Sequence, residues 1–202
     1  DYAENGFVLN KTTARSFNYY RDQFNGDEGT KRIFVKEQEW KQGDIIIQKD
    51  LAKTLKRISA SGNAGFYDGE TANLLVKEMN ENGGLISKQD LLDYDSAYRE
   101  PVIGTYKDYK IISMGPPSSG GVLIVQMLNM LENFDVESMK RNSTEFVHLL
   151  TEIQRLAYAD RATHLGDPDF WDNPIGMLTS KEYAKERLDL ISMENATPSI
   201  EI

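Results

Sequence analysis

Apolar residues recur every three or four positions along most of this chain, which is the spacing of one face of an α-helix. Most of these runs begin after a residue that can cap a helix N-terminus, and two end at glycine. The pattern therefore predicts a mostly helical chain. The predicted helices run from Asn10 to about Phe24, through Leu51, Leu55 and Ile58 to Gly62, from Asp68 to the Gly83–Gly84 pair, over a short stretch after Ser87, from Val122 to Phe134, from Asn142 to near Gly166, and from Ser180 to Ile191.

Local signals refine these boundaries. Ser87 with Asp90, and Asn142 with Glu145, have the three-residue spacing of a capping box. The stretch 24–31, FNGDEGTK, is rich in turn formers and is predicted to be a loop, as is the stretch 166–174, GDPDFWDNP. Ile45 to Ile47 are predicted to form a brief extended entry to the next helix.

The period changes to two between residues 101 and 114, PVIGTYKDYKIISM. Alternation of this kind is typical of strands, and Lys107–Asp108 lies at its centre, so a β-hairpin is predicted. The helix that follows, 122–134, has a polar stripe of only Gln126, Asn129 and Asn133, with Glu132 beside it. A helix that is apolar around most of its circumference is expected to be buried on more than one side.

Composition and charge limit the classes of protein to which the chain can belong. The 202 residues, 40% of them hydrophobic, are enough for one sizeable core, so we predict a single α+β domain over 1–202, with a mobile polar tail at 192–202. The net charge of −9 argues against nucleic acid as a partner. No apolar run has the length of a membrane span, and the absence of cysteine excludes disulfides and thiolate metal sites.

A candidate catalytic segment lies between the hairpin and the apolar helix, and it consists of Pro116, Pro117, Ser118, Ser119, Gly120 and Gly121. Ser118 or Ser119 would be a nucleophile if His148 or His164 served as base. The segment does not match the G-x-S-x-G elbow, however, and both histidines have structural explanations. Glu152 lies four residues after His148 on what we take as a polar helix face, and His164 suits a helix C-terminus.

Two other sites are conceivable from the residues. Glycines at a helix start can cradle phosphate, yet Val122 and Leu123 stand where a Walker motif needs lysine and a hydroxyl residue. The alternative is a structural turn, in which a serine caps the helix and the glycines allow tight packing.

A metal site would use Asp160, His164, Asp167 and Asp169. The acidic stretch 90–100 is interpreted as a solvated surface paired locally with Arg99.

Five segments in order give the chain a resemblance to the γ-glutamyltranspeptidase family: GFYDGETA, NGGLISKQDLLDY, GTYKDYKIISMGPPSSGGVLIVQMLNMLENFD, YADRATHLGDPDF and LTSKEYAKER. They span nearly the whole chain from about Gly62 onward, whereas the first sixty residues fit more loosely. The resemblance is to the C-terminal part of the family's large subunit. It implies a parent protein that is an N-terminal-nucleophile hydrolase with an αββα core.

The resemblance also implies a function for the parent protein. Family members are precursors that cleave themselves into two subunits, and the new N-terminal threonine of the small subunit attacks the γ-glutamyl amide of glutathione or a related compound. The expected partners are the rest of the large subunit, the small subunit and that substrate, in the periplasm or secreted. No cofactor is implied.

None of the family's principal catalytic residues falls within this chain. No TTH-like segment is present, because Thr12–Thr13 precedes Ala14 inside a predicted helix. We therefore assign no catalytic, cofactor-binding or metal-ligating residue, and we expect the chain alone to be inactive. Residues 116–121 are interpreted as a structural turn or a support for self-cleavage. The alternatives for function are an acylase of the same family acting on glutaryl or cephalosporin-type amides, and a non-enzymatic binding or scaffold domain.

Overall fold

A computed structural model describes residues 1–201, apart from the side chain of Glu201. Within it the chain forms two compact units, which divide between Ser96 and Ala97. The single domain over 1–202 stays a prediction, because compactness does not test whether either unit folds alone. Ile202, the last residue of the predicted mobile tail, lies outside the described residues, and mobility of the rest stays a prediction.

The first unit is almost entirely helical, with one short pair of strands. Strands β1 and β2 are antiparallel, with Phe7 opposite Ile46 and Val8 opposite Ile45. Its elements are α1 (Tyr2–Asn5), β1 (Phe7–Val8), α2 (Lys11–Tyr19), α3 (Arg21–Phe24), α4 (Glu28–Phe34), β2 (Ile45–Ile46), α5 (Lys49–Ser61), α6 (Ala64–Tyr67), α7 (Gly69–Glu81) and α8 (Lys88–Asp93).

The caps predicted for this unit are present. The Asn10 side chain accepts from the N–H of Thr13, Gly62 ends α5 at φ 56°, and Ser87 and Asp90 form a complete capping box. The predicted loop at 24–31 was wrong over its second half. Asp27 accepts from the N–H of Thr30 and starts α4 there, because an aspartate among turn formers can equally cap a helix.

Over the residues that the structure describes, the second unit combines a hairpin with four α-helices. Its elements are β3 (Val102–Tyr106), β4 (Tyr109–Ser113), α9 (Gly120–Leu131), α10 (Thr144–His164), α11 (Ile175–Leu178), α12 (Lys181–Leu188) and a 3₁₀ turn at Ser199–Glu201. The predicted hairpin is confirmed, and its register pairs Tyr106 with Tyr109 around the Lys107–Asp108 turn. With the first unit, this gives the mostly helical α+β chain that the sequence predicts.

Helix α9 is the centre of the second unit, as its apolar circumference predicts. Leu123 and Met130 belong to one buried cluster, which includes residues of α10 and Ala184 of α12. Val122 and Val125 belong to a second cluster, with Val102 of the hairpin and Leu178 of α11. Burial on two sides fixes where α9 starts, and therefore where the preceding turn lies.

The N-cap of α10 and the partner of Arg99 differ from the sequence prediction. Ser143, not Asn142, is the N-cap of α10, and its hydroxyl accepts from the N–H of Phe146. Asn142 instead has a positive φ of 59° in the turn before the helix. Arg99 is paired with Asp169 at 2.8 Å rather than with a nearby acid. No helix within residues 1–201 is long and apolar enough to cross a bilayer.

Candidate functional site: the turn before helix α9

Residues 116–121, here called the turn before α9, connect β4 to α9; Gly120 and Gly121 are already the first two residues of that helix, which the sequence predicted to start at Val122. Gly115 and Pro116 are buried, and the peptide bond between Pro116 and Pro117 is cis. The N–H of Ser118 donates to the carbonyl oxygen of Gly115 at 3.2 Å. The turn is therefore held on both sides, by burial at its start and by α9 at its end.

Only one of the two glycines in this turn is required by packing. A Cβ atom on Gly121 would lie 2.2 Å from the carbonyl oxygen of Met114. A Cβ on Gly120 would meet only the Ser118 hydroxyl, at an ordinary 3.5 Å. The close approach expected of the glycines is therefore to the backbone of the chain itself, and it occurs at Gly121.

The two serines are fixed by different partners. Ser119 occupies the N-cap position of α9 but its side chain makes no capping hydrogen bond, so of the two serines only Ser118 contacts a helix N-terminal N–H. Its hydroxyl accepts instead from Nε of Arg161 on α10, at 2.9 Å. The hydroxyl of Ser118 accepts from the N–H of Gly120 at 3.3 Å. Ser119 thus joins the turn to α10.

The geometry does not assemble a serine triad. Nε2 of His148 contacts the carbonyl oxygen of Ser192 at 2.7 Å. Among the hydrogen bonds of residues 1–201, neither Ser118 nor Ser119 has His148 or His164 as a partner. A serine hydroxyl needs an adjacent base to become a nucleophile, and no base among the described residues contacts these two.

A small cavity lies against the turn. Its volume is about 180 Å³, and it is lined by residues 116–119, Arg161 and residues 165–167. The guanidinium of Arg161 and the carboxylate of Asp167 bring opposite charges to its wall. Such a cavity can hold a small polar group or ordered water.

The carboxylate of Asp160, on α10, links that helix to α9 and α12. It is buried, and one oxygen accepts from the amide of Gln126 on α9. The other oxygen accepts from the Tyr183 hydroxyl at 3.0 Å and lies 3.1 Å from the Arg187 guanidinium, both on α12. Burial, together with the charge of Asp160, raises the pKa of Tyr183. The charge on Asp160 is therefore compensated within the protein.

This network also answers the metal hypothesis. Both oxygens of Asp160 are occupied by protein donors, and Asp169 is paired with Arg99. In the part of the chain that the structure describes, no group of three acidic, histidine or cysteine side chains could hold a metal ion. Asp160, His164, Asp167 and Asp169 are thus not brought together as ligands.

A second buried carboxylate lies further along α10. Glu152 is only 1% exposed, so its expected position on a polar helix face with His148 was wrong. Its carboxylate accepts from Arg155 at 2.9 Å and from the N–H of Thr197 at 3.2 Å. Burial alone would raise the pKa of Glu152, but the hydrogen bonds from Thr197 and the charge of Arg155 outweigh it and lower the pKa.

Sequence reasoning missed the structural roles of both carboxylates, although a signal for them was present. Residues spaced three or four apart on a helix share a face, and the buried residues of α10 follow that spacing. That face consists of Leu149, Glu152, Ile153, Leu156, Ala157 and Asp160.

The fold and this site together define a class: a mostly helical α+β chain in whose second unit a proline–serine–glycine turn leads into the buried helix α9. The sequence model of the family described as Gamma-glutamyltranspeptidase matches residues 1–201. The chain belongs to the γ-glutamyltranspeptidase family, as its five motifs predict.

Individual relatives agree with this assignment. The chain is 44% identical over 202 residues to the glutathione hydrolase proenzyme of Escherichia coli, covering 99% of this chain and 35% of that protein. It is 40% identical over 195 residues to the Acylase ACY 1 proenzyme of Pseudomonas sp. strain V22, covering 96% of this chain and 35% of that protein.

The fold is shared with a solved structure as well. The crystal structure of Helicobacter pylori γ-glutamyltranspeptidase superimposes with a TM-score of 0.94 at 42% identity. The match covers all of this chain and 58% of that one. The chain therefore spans about a third of the length of the curated relatives it matches.

Proposed function

We propose that this chain is part of a γ-glutamyltransferase or glutathione hydrolase. The whole enzyme would transfer or hydrolyse the γ-glutamyl group of glutathione and related amides through a threonine that lies outside these 202 residues. The observation that carries the proposal is the family match over residues 1–201, together with 44% identity to a protein named glutathione hydrolase proenzyme.

The parent protein would be made as a precursor that cleaves itself into two subunits. The proenzyme names of the relatives support this, and so does the length of those relatives beyond the matched region. The partners of this chain would be the rest of the large subunit and the small subunit. The enzyme would need no cofactor and would act in the periplasm or as a secreted protein.

Within that enzyme the turn 116–121 would be architectural. Gly121 packs against the backbone of Met114, and Ser119 accepts from Arg161, so the turn sets the direction in which α9 leaves the hairpin. A direct chemical role for the same residues in processing would require a reactive hydroxyl, whereas a supporting role would not. Both hydroxyls are instead engaged as hydrogen-bond acceptors, with no base in contact. Because the proposed threonine nucleophile lies outside these 202 residues, we expect the isolated chain to be inactive.

An acylase acting on glutaryl-type amides is the second candidate. It is favoured by relatives named Acylase ACY 1 proenzyme, which are 40% and 46% identical to this chain. The full precursor, assayed with γ-glutamyl-p-nitroanilide and glutaryl-p-nitroanilide in parallel, separates the two. Faster turnover of the γ-glutamyl substrate supports the proposal, and a preference for the glutaryl substrate overturns it in favour of the acylase.

A further inference from the structure

Residues 192–197, the C-terminal segment, lie along α10 and are attached to it at two points. The carbonyl oxygen of Ser192 contacts Nε2 of His148 at 2.7 Å. The N–H of Thr197 donates to the carboxylate of Glu152 at 3.2 Å. His148 and Glu152 are four residues apart, so the two anchors are on neighbouring turns of the same helix face.

Polar contacts, not apolar burial, fix the path of this segment. Residues 192–196 are exposed, and Thr197 is only half-buried. The apolar core stops at Ile191, which packs against the cluster formed by α9, α10 and α12. Between the anchors, the hydroxyl of Ser192 accepts from the N–H groups of Glu194 and Asn195 at 3.3 and 3.2 Å. Removing the anchors would therefore free the segment without opening the core.

The Glu152 anchor is the stronger of the two for an electrostatic reason. A hydrogen bond to an ionised and buried acceptor is stronger than one between neutral groups. The Glu152 side chain is 1% exposed, and it is kept ionised by Arg155, whose own side chain is 19% exposed. This places a fixed negative charge in a buried site, where Thr197 of the segment donates to it.

We propose that Glu152 and His148 are positioning residues for self-cleavage of the precursor. The inference rests on the proposed function, in which the chain continues beyond residue 202 towards the cleaved peptide bond. Self-cleavage adds one water across that peptide bond and yields a new carboxylate and a new amine, so its rate depends on how the bond is held. The contacts of His148 with Ser192 and of Glu152 with Thr197, together called the latch, would fix the direction from which the chain approaches that bond.

Backbone substitutions test the latch without disturbing Glu152. Thr197→Pro removes the donating N–H and leaves the carboxylate–Arg155 pair intact. Ala196→Pro is the matched control, since its N–H has no hydrogen-bond partner among residues 1–201. His148→Ala removes the other anchor, and Gln154→Ala, on the exposed surface of α10, is its control. All four variants are made in the full precursor.

Three readouts separate positioning from general stability: the self-cleavage rate, the Tm of the precursor, and turnover of γ-glutamyl-p-nitroanilide by enzyme that has finished cleaving. We expect Thr197→Pro to slow self-cleavage about tenfold, the equivalent of one charge-assisted hydrogen bond. His148→Ala should slow it several-fold. Tm and turnover should stay at the wild-type values, and both controls should cleave at the wild-type rate. Hydrogen exchange should show a protected Thr197 amide in the wild-type precursor.

Each failure has its own signature. An unprotected Thr197 amide, or a Thr197→Pro precursor that cleaves at the wild-type rate, overturns the latch while leaving the proposed function intact. Equal losses of Tm, turnover and cleavage mean a structural contact only and also overturn the positioning role. A wild-type precursor with a protected amide that never cleaves overturns the proposed function, and the positioning role with it.

Discussion

Gly121→Ala is expected to destabilise the chain, whereas Gly120→Ala is expected to leave it unchanged or slightly more stable. The two residues are neighbours at the start of α9, and the same methyl group is added in each case. At Gly121 it would lie 2.2 Å from the carbonyl oxygen of Met114 and 3.0 Å from the carbonyl carbon of the same residue. At Gly120 its contact is 3.5 Å from the Ser118 hydroxyl.

The size of the difference follows from these distances. Relieving the contact at Gly121 requires the β4–α9 turn or the start of α9 to move by about 1 Å, and overpacking of this kind costs about 1–3 kcal/mol. At Gly120 the new side chain reduces the freedom of the unfolded backbone, which stabilises by up to about 1 kcal/mol. We therefore expect the two variants to differ by about 3 kcal/mol.

The assay is thermal unfolding of both variants beside the wild type. For a chain of this size, about 3 kcal/mol corresponds to a difference in Tm of about 6–12 °C. Hydrogen exchange of the α9 amides would show whether the loss is local to the second unit. Equal Tm values for the two variants, or a larger loss for Gly120→Ala, would refute the packing argument.

Three further predictions follow from the same structure. Asp160→Asn leaves the charge of Arg187 uncompensated in a buried site, so the free energy of unfolding should fall by about 3–5 kcal/mol. The control Asp167→Asn, at an exposed position, should lower the free energy of unfolding by less than about 0.5 kcal/mol. The hydrogen bond from Lys181 lowers the pKa of Glu132 below its usual 4.5. The stabilisation from the ionised Glu132 is therefore present at neutral pH and is lost as pH falls below 4.5. Glu132→Gln should flatten that part of the curve of unfolding free energy against pH. EDTA should leave Tm unchanged, because protein donors occupy both Asp160 oxygens; a fall in Tm would restore the metal hypothesis.

The elements with strong local signals were predictable. Asn10, Ser87 and Ser180 each accept from a helix N-terminal N–H, as their positions in the sequence indicate. The Lys107–Asp108 turn lies at the centre of the alternating stretch and joins β3 to β4. Caps and two-residue turns depend on neighbouring residues only, and these were therefore available from the sequence.

The polar interior was not predictable in the same way. Asp160 meets Arg187 across 27 positions of chain, and Arg99 meets Asp169 across 70. Such pairs depend on how helices pack, and the sequence offers nearer partners for every one of these charges. Glu152 was placed with solvent because glutamate is seldom buried unless it is paired, and its pairing became visible only in the structure.

At the candidate site, the sequence predicted the kind of contact that the turn makes but not which residue makes it. The sequence indicates that a glycine in 120–121 allows a close approach, but both glycines satisfy that description equally. Only the helical phase of α9, fixed by burial of Val122 and Leu123 in two different clusters, directs Gly121 towards Met114. For the same reason the Ser119–Arg161 hydrogen bond could not be foreseen.

Turnover of γ-glutamyl-p-nitroanilide by the 202-residue chain, beside the full precursor, is the decisive test of whether the nucleophile lies outside this chain. We expect no turnover by the chain alone, and turnover by the precursor only after it has cleaved into two chains. Activity in the chain alone would contradict it. Ser118 and Ser119 would then become the first candidates for the nucleophile.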